Sequence, residues 1–229
     1  MTVSIAPVIQ TEFTKMSHQW QPASWEDYLA ARDEQTIDRV RLFFHRGHLL
    51  AIDMGWEGID HATISDLFTM LFYIWSAQRP EQIFSSLGRC LLEKASQEIA
   101  AAPDLVLYLG ENYPRREPGT SRRIDLERWR VPNLVGEISD TTLASDLDEK
   151  KALYAALEIP EYWVIDVRVT RIFAFQLQSN GKYEEVAASL ALTGLPISLL
   201  EQTLARLNEG TNASAALWFS QQIAGASQF

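Results

Sequence analysis

The chain carries one cysteine, Cys90, in 229 residues, which excludes an internal disulfide framework and a thiolate metal site within one chain. Its apolar surroundings, "SSLGRCLLEK", make it a small core residue. No apolar run is long enough to span a bilayer, and the N-terminus lacks the basic-then-apolar order of a signal peptide. A cytoplasmic protein without a membrane partner is expected. Positive charge is also scarce: 20 Lys and Arg stand against 30 Asp and Glu, a formal net charge of -10. That balance argues against coating nucleic acid through bulk charge. Internal repeats, low-complexity tracts and linkers are missing too, so one domain with flanking extensions is the economical organisation.

What is present is a chain with 47% hydrophobic residues, enough for one sizeable core. The basic residues it does have are unevenly placed. "YPRREPGTSRRIDLERWR", from Tyr113 to Arg130, gathers Arg115, Arg116, Arg122 and Arg123. Such a segment on an acidic body can contact phosphates, in DNA above all. The simpler alternative is a solvated loop whose arginines pair with Glu117, Asp125 and Glu127.

Residues 1–22 show no clear period and form an expected flexible leader. "SWEDYLAAR" opens a helix with Ser24 as N-cap and Asp27 completing a capping box. Two β-favouring runs around Gly47 predict a hairpin. Ile64, Leu67, Phe68, Leu71, Phe72 and Trp75 recur at helical spacing until Pro80, so a long helix packs flat on a sheet. "IFSSLGRCLLEK" reads as a strand interrupted at Gly88. "PDLVLYLGE" and "NLVGEIS" read as buried central strands. The helix "SDLDEKKALYAALE" follows with Ser145 as its N-cap, then the strands "EYWVIDV", "TRIFAFQLQ" and "KYEEVA" with a turn at Asn180-Gly181. Two helices, near 198–207 and 213–223, close the chain. Their "AALWFSQQI" offers Leu217, Trp218 and Phe219 either to a partner or to the protein's own core. The expected division is therefore 1–22, a main domain over 23–190, and a helical extension over 191–229 packed on that domain or on a dimer partner.

Asp104 opens one buried strand and Glu137 closes another. An ionised carboxylate at either place needs a compensating cation or donor. Two such acids, the Ile138 backbone carbonyl and water are a set that holds magnesium or manganese. A metal there can activate water and stabilise charge growing on a phosphate, with a lysine beside it. Lys150, in the helix that folds back from the Glu137 strand, can reach the strand end. Asp146, Lys150 and Tyr154 share one helix face. On spacing alone the simpler reading of Asp146 and Lys150 is a surface ion pair, with Tyr154 as boundary packing.

"PDLVLY", "LVGEIS" and "TT…SD…EKKALYAALEIPEYWVID" together resemble the Uma-two family of endonucleases, abundant in cyanobacteria, within the restriction-endonuclease-like PD-(D/E)xK superfamily. The similarity runs from about Trp25 to Val186 and is densest from Pro103 to Asp166. It implies an α/β fold (α+β with a mixed sheet), a restriction-endonuclease-like core whose central mixed β-sheet is flanked by helices. It implies metal-dependent hydrolysis of DNA phosphodiester bonds, with Asp104 and Glu137 as metal acids and Lys150 as the catalytic lysine. The superfamily's usual lysine position, two residues after the glutamate, is Ser139 here, and Lys151 is the weaker claimant to the displaced role. Trp163 matches a core position, and Glu161 and Asp166 match structural caps. The resemblance implies a homodimer as well, since many nucleases of the superfamily cut as dimers.

Two features depart from the family pattern or extend it. Where relatives carry a glutamate and an aspartate in a "YELIDG"-like strand, this chain has Phe43 and Arg46, which hands the auxiliary metal role to Glu57 or weakens the site. His61 matches a family histidine, as a helix-start cap or a phosphate contact. A non-catalytic nucleic-acid-binding or regulatory module on the same fold is the alternative function.

Overall fold

The structure, a computed structural model, describes residues 19–34, 40–53, 58–119 and 123–226. The capping box forms at the start of helix α1 (Trp25–Asp33): the Ser24 hydroxyl accepts the Asp27 N–H at 3.1 Å, and the Asp27 carboxylate accepts the Ser24 N–H at 2.8 Å. Strands β2 (Val40–His45) and β3 (His48–Asp53) form the hairpin, with Arg46 and Gly47 both at positive φ in the tight turn. Pairing continues outward to β1 (Gln21–Pro22) on one side. On the other it runs through β6 (Ile99–Ala101), β5 (Leu91–Lys94) and β8 (Arg123–Asp125), giving a six-stranded sheet ordered β1-β3-β2-β6-β5-β8.

The second six-stranded sheet is ordered β12-β11-β10-β9-β7-β4. It consists of β4 (Phe84–Ser86), β7 (Leu105–Leu109), β9 (Leu134–Ser139), β10 (Glu161–Asp166), β11 (Arg171–Leu177) and β12 (Tyr183–Glu185). Its β9 and β10 run parallel, which requires a crossover. That crossover is the broken helix α3 (Leu143–Leu147) and α4 (Glu149–Ala156). The break at Asp148 places Ser145 inside α3 and not at an N-cap, where its hydroxyl accepts the Trp20 indole N–H at 2.9 Å.

The expected α/β architecture, a mixed sheet flanked by helices, is present, and a second six-stranded mixed sheet is added to it. The reason lies at Gly88. The segment on either side of it is not one interrupted strand: β4 pairs with β7 in the second sheet, and β5 pairs with β6 in the first. A Cβ on residue 88 would lie 2.5 Å from the Asp104 carbonyl oxygen, so the crossing between sheets needs glycine there.

Alternation along the second sheet sorts its side chains into two cores. Leu105, Leu107, Leu134, Ile138, Trp163 and Ile165 face a helical layer of α2 (Ile59–Ala77), α5 (Ile197–Asn208) and α6 (Asn212–Ala226). Val106, Val135, Tyr162 and Val164 face α4 and the first sheet's Phe43, Leu50 and Leu92. The terminal helices close the protein's own core: Phe219 is fully buried and Trp218 packs against the cluster, while Leu217 is exposed. Among the described residues, no helix is long and apolar enough to cross a membrane.

Candidate active site

Strand register brings the two acids together. Leu105 faces Gly136 across the antiparallel β7–β9 pair, so Asp104, one residue earlier, comes opposite Glu137, one residue later. Both carboxylates stand on the face that packs against α4 and the first sheet, and each is almost wholly buried. Gly136 keeps this pairing close, because a Cβ there would meet the Leu105 side chain at 3.1 Å.

Lys150, in the first turn of α4, points back over the end of β9. Its ammonium lies 3.1 Å from Glu137 Oε2 and 2.8 Å from Asp146 Oδ1. Asp146 is held in turn by the Thr142 hydroxyl at 2.7 Å, and its backbone carbonyl accepts the Tyr162 hydroxyl. Tyr154, one turn after Lys150, donates its hydroxyl to Glu137 Oε1. Asp146 and Lys150 thus form no surface ion pair: the lysine is 1% exposed and the aspartate fully buried. Helical spacing was a sound guide to their contact but could not see the sheet that covers it. Lys151 points elsewhere, its ammonium 3.6 Å from the centre of the Phe175 ring.

Sequence reasoning missed one member of the cluster, Arg41. It sits in β2 on the same face as Phe43, and its guanidinium crosses to the second sheet. Nη1 lies 2.6 Å from Asp104 Oδ1 and Nη2 lies 3.0 Å from Glu137 Oε2. Nε donates to the Ala102 carbonyl at 2.6 Å, and Nη2 donates to that carbonyl as well. An arginine in the otherwise apolar run "VRLFF" was the available signal, since a cation on an inward face demands buried acids.

The charges tune one another. Burial raises the Asp104 carboxyl, but Arg41, His61 and the Ile138 N–H outweigh it and hold the acid below the ordinary carboxylate range. Burial also raises the Glu137 carboxyl, and Lys150 and Arg41 offset that only in part. Desolvation works against charge on Lys150, yet Glu137 and Asp146 keep its ammonium above the ordinary lysine value.

The other expected residues fall in several places. His61 lies in the first turn of α2; its Nε2 lies 3.2 Å from Asp104 Oδ1, and at 18% its side chain is the most exposed of this cluster. Ile138 joins through its N–H, which donates to Asp104 Oδ2 at 2.9 Å. Ser139 is fully buried, and its hydroxyl has no hydrogen-bond partner among the described residues. Glu57 and Arg122 lie outside the described residues. Arg115 and Arg116 are exposed, whereas Arg123 is half-buried, with its Nε 2.7 Å from the buried Glu93. Trp163 lies in the core, as its family position implies. Glu161 accepts the Trp163 indole N–H, the Ser189 hydroxyl and the Ala191 N–H, and Asp166 accepts the Arg168 N–H.

The donor set does not fit a divalent ion as arranged. All four oxygens of Asp104 and Glu137 have partners, and Arg41 pairs with one oxygen of each acid. Among the described residues, no group of three or more His, Cys, Asp and Glu side chains could hold a metal. In this arrangement the Arg41 side chain supplies the compensating cation between the two acids.

The sequence model of the Uma2 (Uma-two) family, described as "Putative restriction endonuclease", matches residues 25–208. No curated protein matches the chain. Among solved structures, a similar one is the crystal structure of "a putative nuclease belonging to DUF820" from Anabaena variabilis ATCC 29413. It shares 18% identity at a TM-score of 0.54, covering 80% of this chain and 99% of that chain. At that identity the likeness is one of fold.

Proposed function

The chain belongs to the Uma2 family, and from that premise we propose that it hydrolyses phosphodiester bonds of nucleic acid, DNA before RNA, with Asp104, Glu137 and Lys150 as the groups on which the chemistry depends. The observation that carries this is the meeting of Lys150 and Glu137 at 3.1 Å, opposite Asp104, although the residues come from separate elements. Hydrolysis requires a water to lose a proton as it attacks phosphorus, while negative charge grows on the phosphate. Glu137, whose proton affinity burial raises, is the base at hand. Lys150, held protonated, supplies fixed positive charge beside it. A divalent ion, where one binds, would add Lewis-acid activation of water. The arrangement around Arg41 leaves it no place, and no step is assigned to it.

The exposed Arg115 and Arg116 are the proposed contacts to the nucleic-acid backbone. With Arg128 and Trp129 they line a cavity of about 690 Å³. A cytoplasmic homodimer belongs to the same proposal.

The test is incubation of the full chain with supercoiled plasmid, single-stranded DNA and RNA, in magnesium, in manganese and in a chelator. Nicking that falls by about a hundredfold or more in Glu137→Gln, the usual scale for losing a general base, is the expected result. Cleavage unchanged in that variant would sink the assignment. Arg41 gives specific support to a second reading, a non-catalytic nucleic-acid-binding or regulatory module, because it neutralises the acids that chemistry would use. Binding to DNA without cleavage under any of these conditions would select it. In either case, replacing Arg115 and Arg116 with alanine is expected to weaken binding across all sequences and to flatten its salt dependence.

A further inference from the structure

We propose that Arg41 is a resident cation that takes the place of a divalent metal between Asp104 and Glu137, and that the pair becomes a metal site when this one charge is removed. The guanidinium touches one oxygen of each acid, Nη1 at 2.6 Å from Asp104 Oδ1 and Nη2 at 3.0 Å from Glu137 Oε2, so both oxygens face the same cation. A hard cation is the other species that two such carboxylate oxygens recognise. Oxygen donors are in place; the position between them is taken.

Formal charge leads to the same conclusion. With the His61 imidazole counted neutral, Asp104, Glu137 and Asp146 are balanced by Arg41 and Lys150, which leaves one negative charge in the cluster. A divalent ion added to this set would make it positive and would have to displace the guanidinium. Without Arg41 the remaining groups carry two negative charges, which one divalent ion neutralises. Arg41 is also fixed and not poised to swing. It belongs to an interior strand of the first sheet, between β3 and β6, is almost wholly buried, and is held from behind by the Ala102 carbonyl. It is therefore a permanent occupant and no gate.

This inference deepens the proposed function in that it concerns the same acids, but its readout is metal binding and not cleavage. It can fail while the hydrolytic assignment stands, and the reverse. Manganese is titrated into the wild-type chain, Glu137→Gln, Arg41→Met, and the double variant Arg41→Met/Glu137→Gln, with bound ion followed by electron paramagnetic resonance and stability by thermal unfolding. Wild type and Glu137→Gln are expected to bind manganese alike, which shows that the acid pair takes none. Arg41→Met is expected to gain one site that the double variant lacks. Manganese at about a hundred times its Kd should raise the Tm of Arg41→Met by about 5 °C or more while leaving wild type unmoved. A wild-type site that Glu137→Gln abolishes overturns the proposal. So does a folded Arg41→Met that gains no site, and so does an unfolded Arg41→Met that manganese does not refold, because a metal bound at a formed site would stabilise the fold.

Discussion

At the scale of single residues, adjacent lysines separate structure from decoration. Lys150 stands between two buried acids, whereas Lys151 lies over the Phe175 ring with part of its side chain in solvent. Removing one partner of a buried charge cluster leaves the others uncompensated, at about 3–5 kcal/mol. Losing a cation–π contact at a partly exposed site costs about 0.5–1 kcal/mol. Lys150→Met is therefore expected to lower the urea midpoint strongly, and Lys151→Met only slightly. Equal losses from the two variants would mean that the cluster is not charged as drawn. Their order along the chain was legible, because Lys150 falls four residues from Asp146 and four from Tyr154 on one helix face. Arg41 was not. It touches residues 63 and 96 positions away, and no local period records a contact across two sheets.

At the scale of elements, strands with a full alternation were readable and the very short ones were not. The two buried runs that carry Asp104 and Glu137 form β7 and β9 beside one another, and the Asn180-Gly181 turn joins β11 to β12. By contrast β6 and β8 each span three residues, too few to show a period. Their pairing is decided by neighbours, which is why a second sheet went unseen. Gly88 is where that division becomes physical. A methyl group there would press on the Asp104 carbonyl at 2.5 Å, and that carbonyl is backbone that cannot rotate aside. Gly88→Ala is expected to cost about 1–3 kcal/mol, the usual range for overpacking, and to displace Asp104 from Arg41. Hydrogen exchange at the Ile138 amide, which donates to Asp104, should then quicken. A Gly88→Ala protein with wild-type stability and unchanged exchange at that amide would show that the crossing has slack.

At the scale of the whole molecule, the aromatic core sets how the fold responds to alkali. Tyr28, Tyr108, Tyr154, Tyr162 and Tyr183 are each raised above the ordinary value of 10.0, burial being the largest cause in every case. Lys150 is raised above its ordinary 10.5 by Glu137 and Asp146, against the pull of desolvation. In the unfolded chain these groups release their protons near their ordinary values, while in the folded protein they keep them. Above about pH 10 the unfolded state therefore binds fewer protons than the folded one, and stability falls as pH rises. Below that pH the same groups are protonated in both states, so their contribution is fully present. The expected profile of urea midpoint against pH is level through the neutral range and drops steeply above about pH 10. Tyrosinate absorbance should lag behind pH in the folded protein and then rise together with loss of the circular dichroism signal. Phenolic ionisation complete near pH 10 in a protein that is still folded would show instead that water reaches these rings, and with them the seam between the sheets where Glu137 and Lys150 meet.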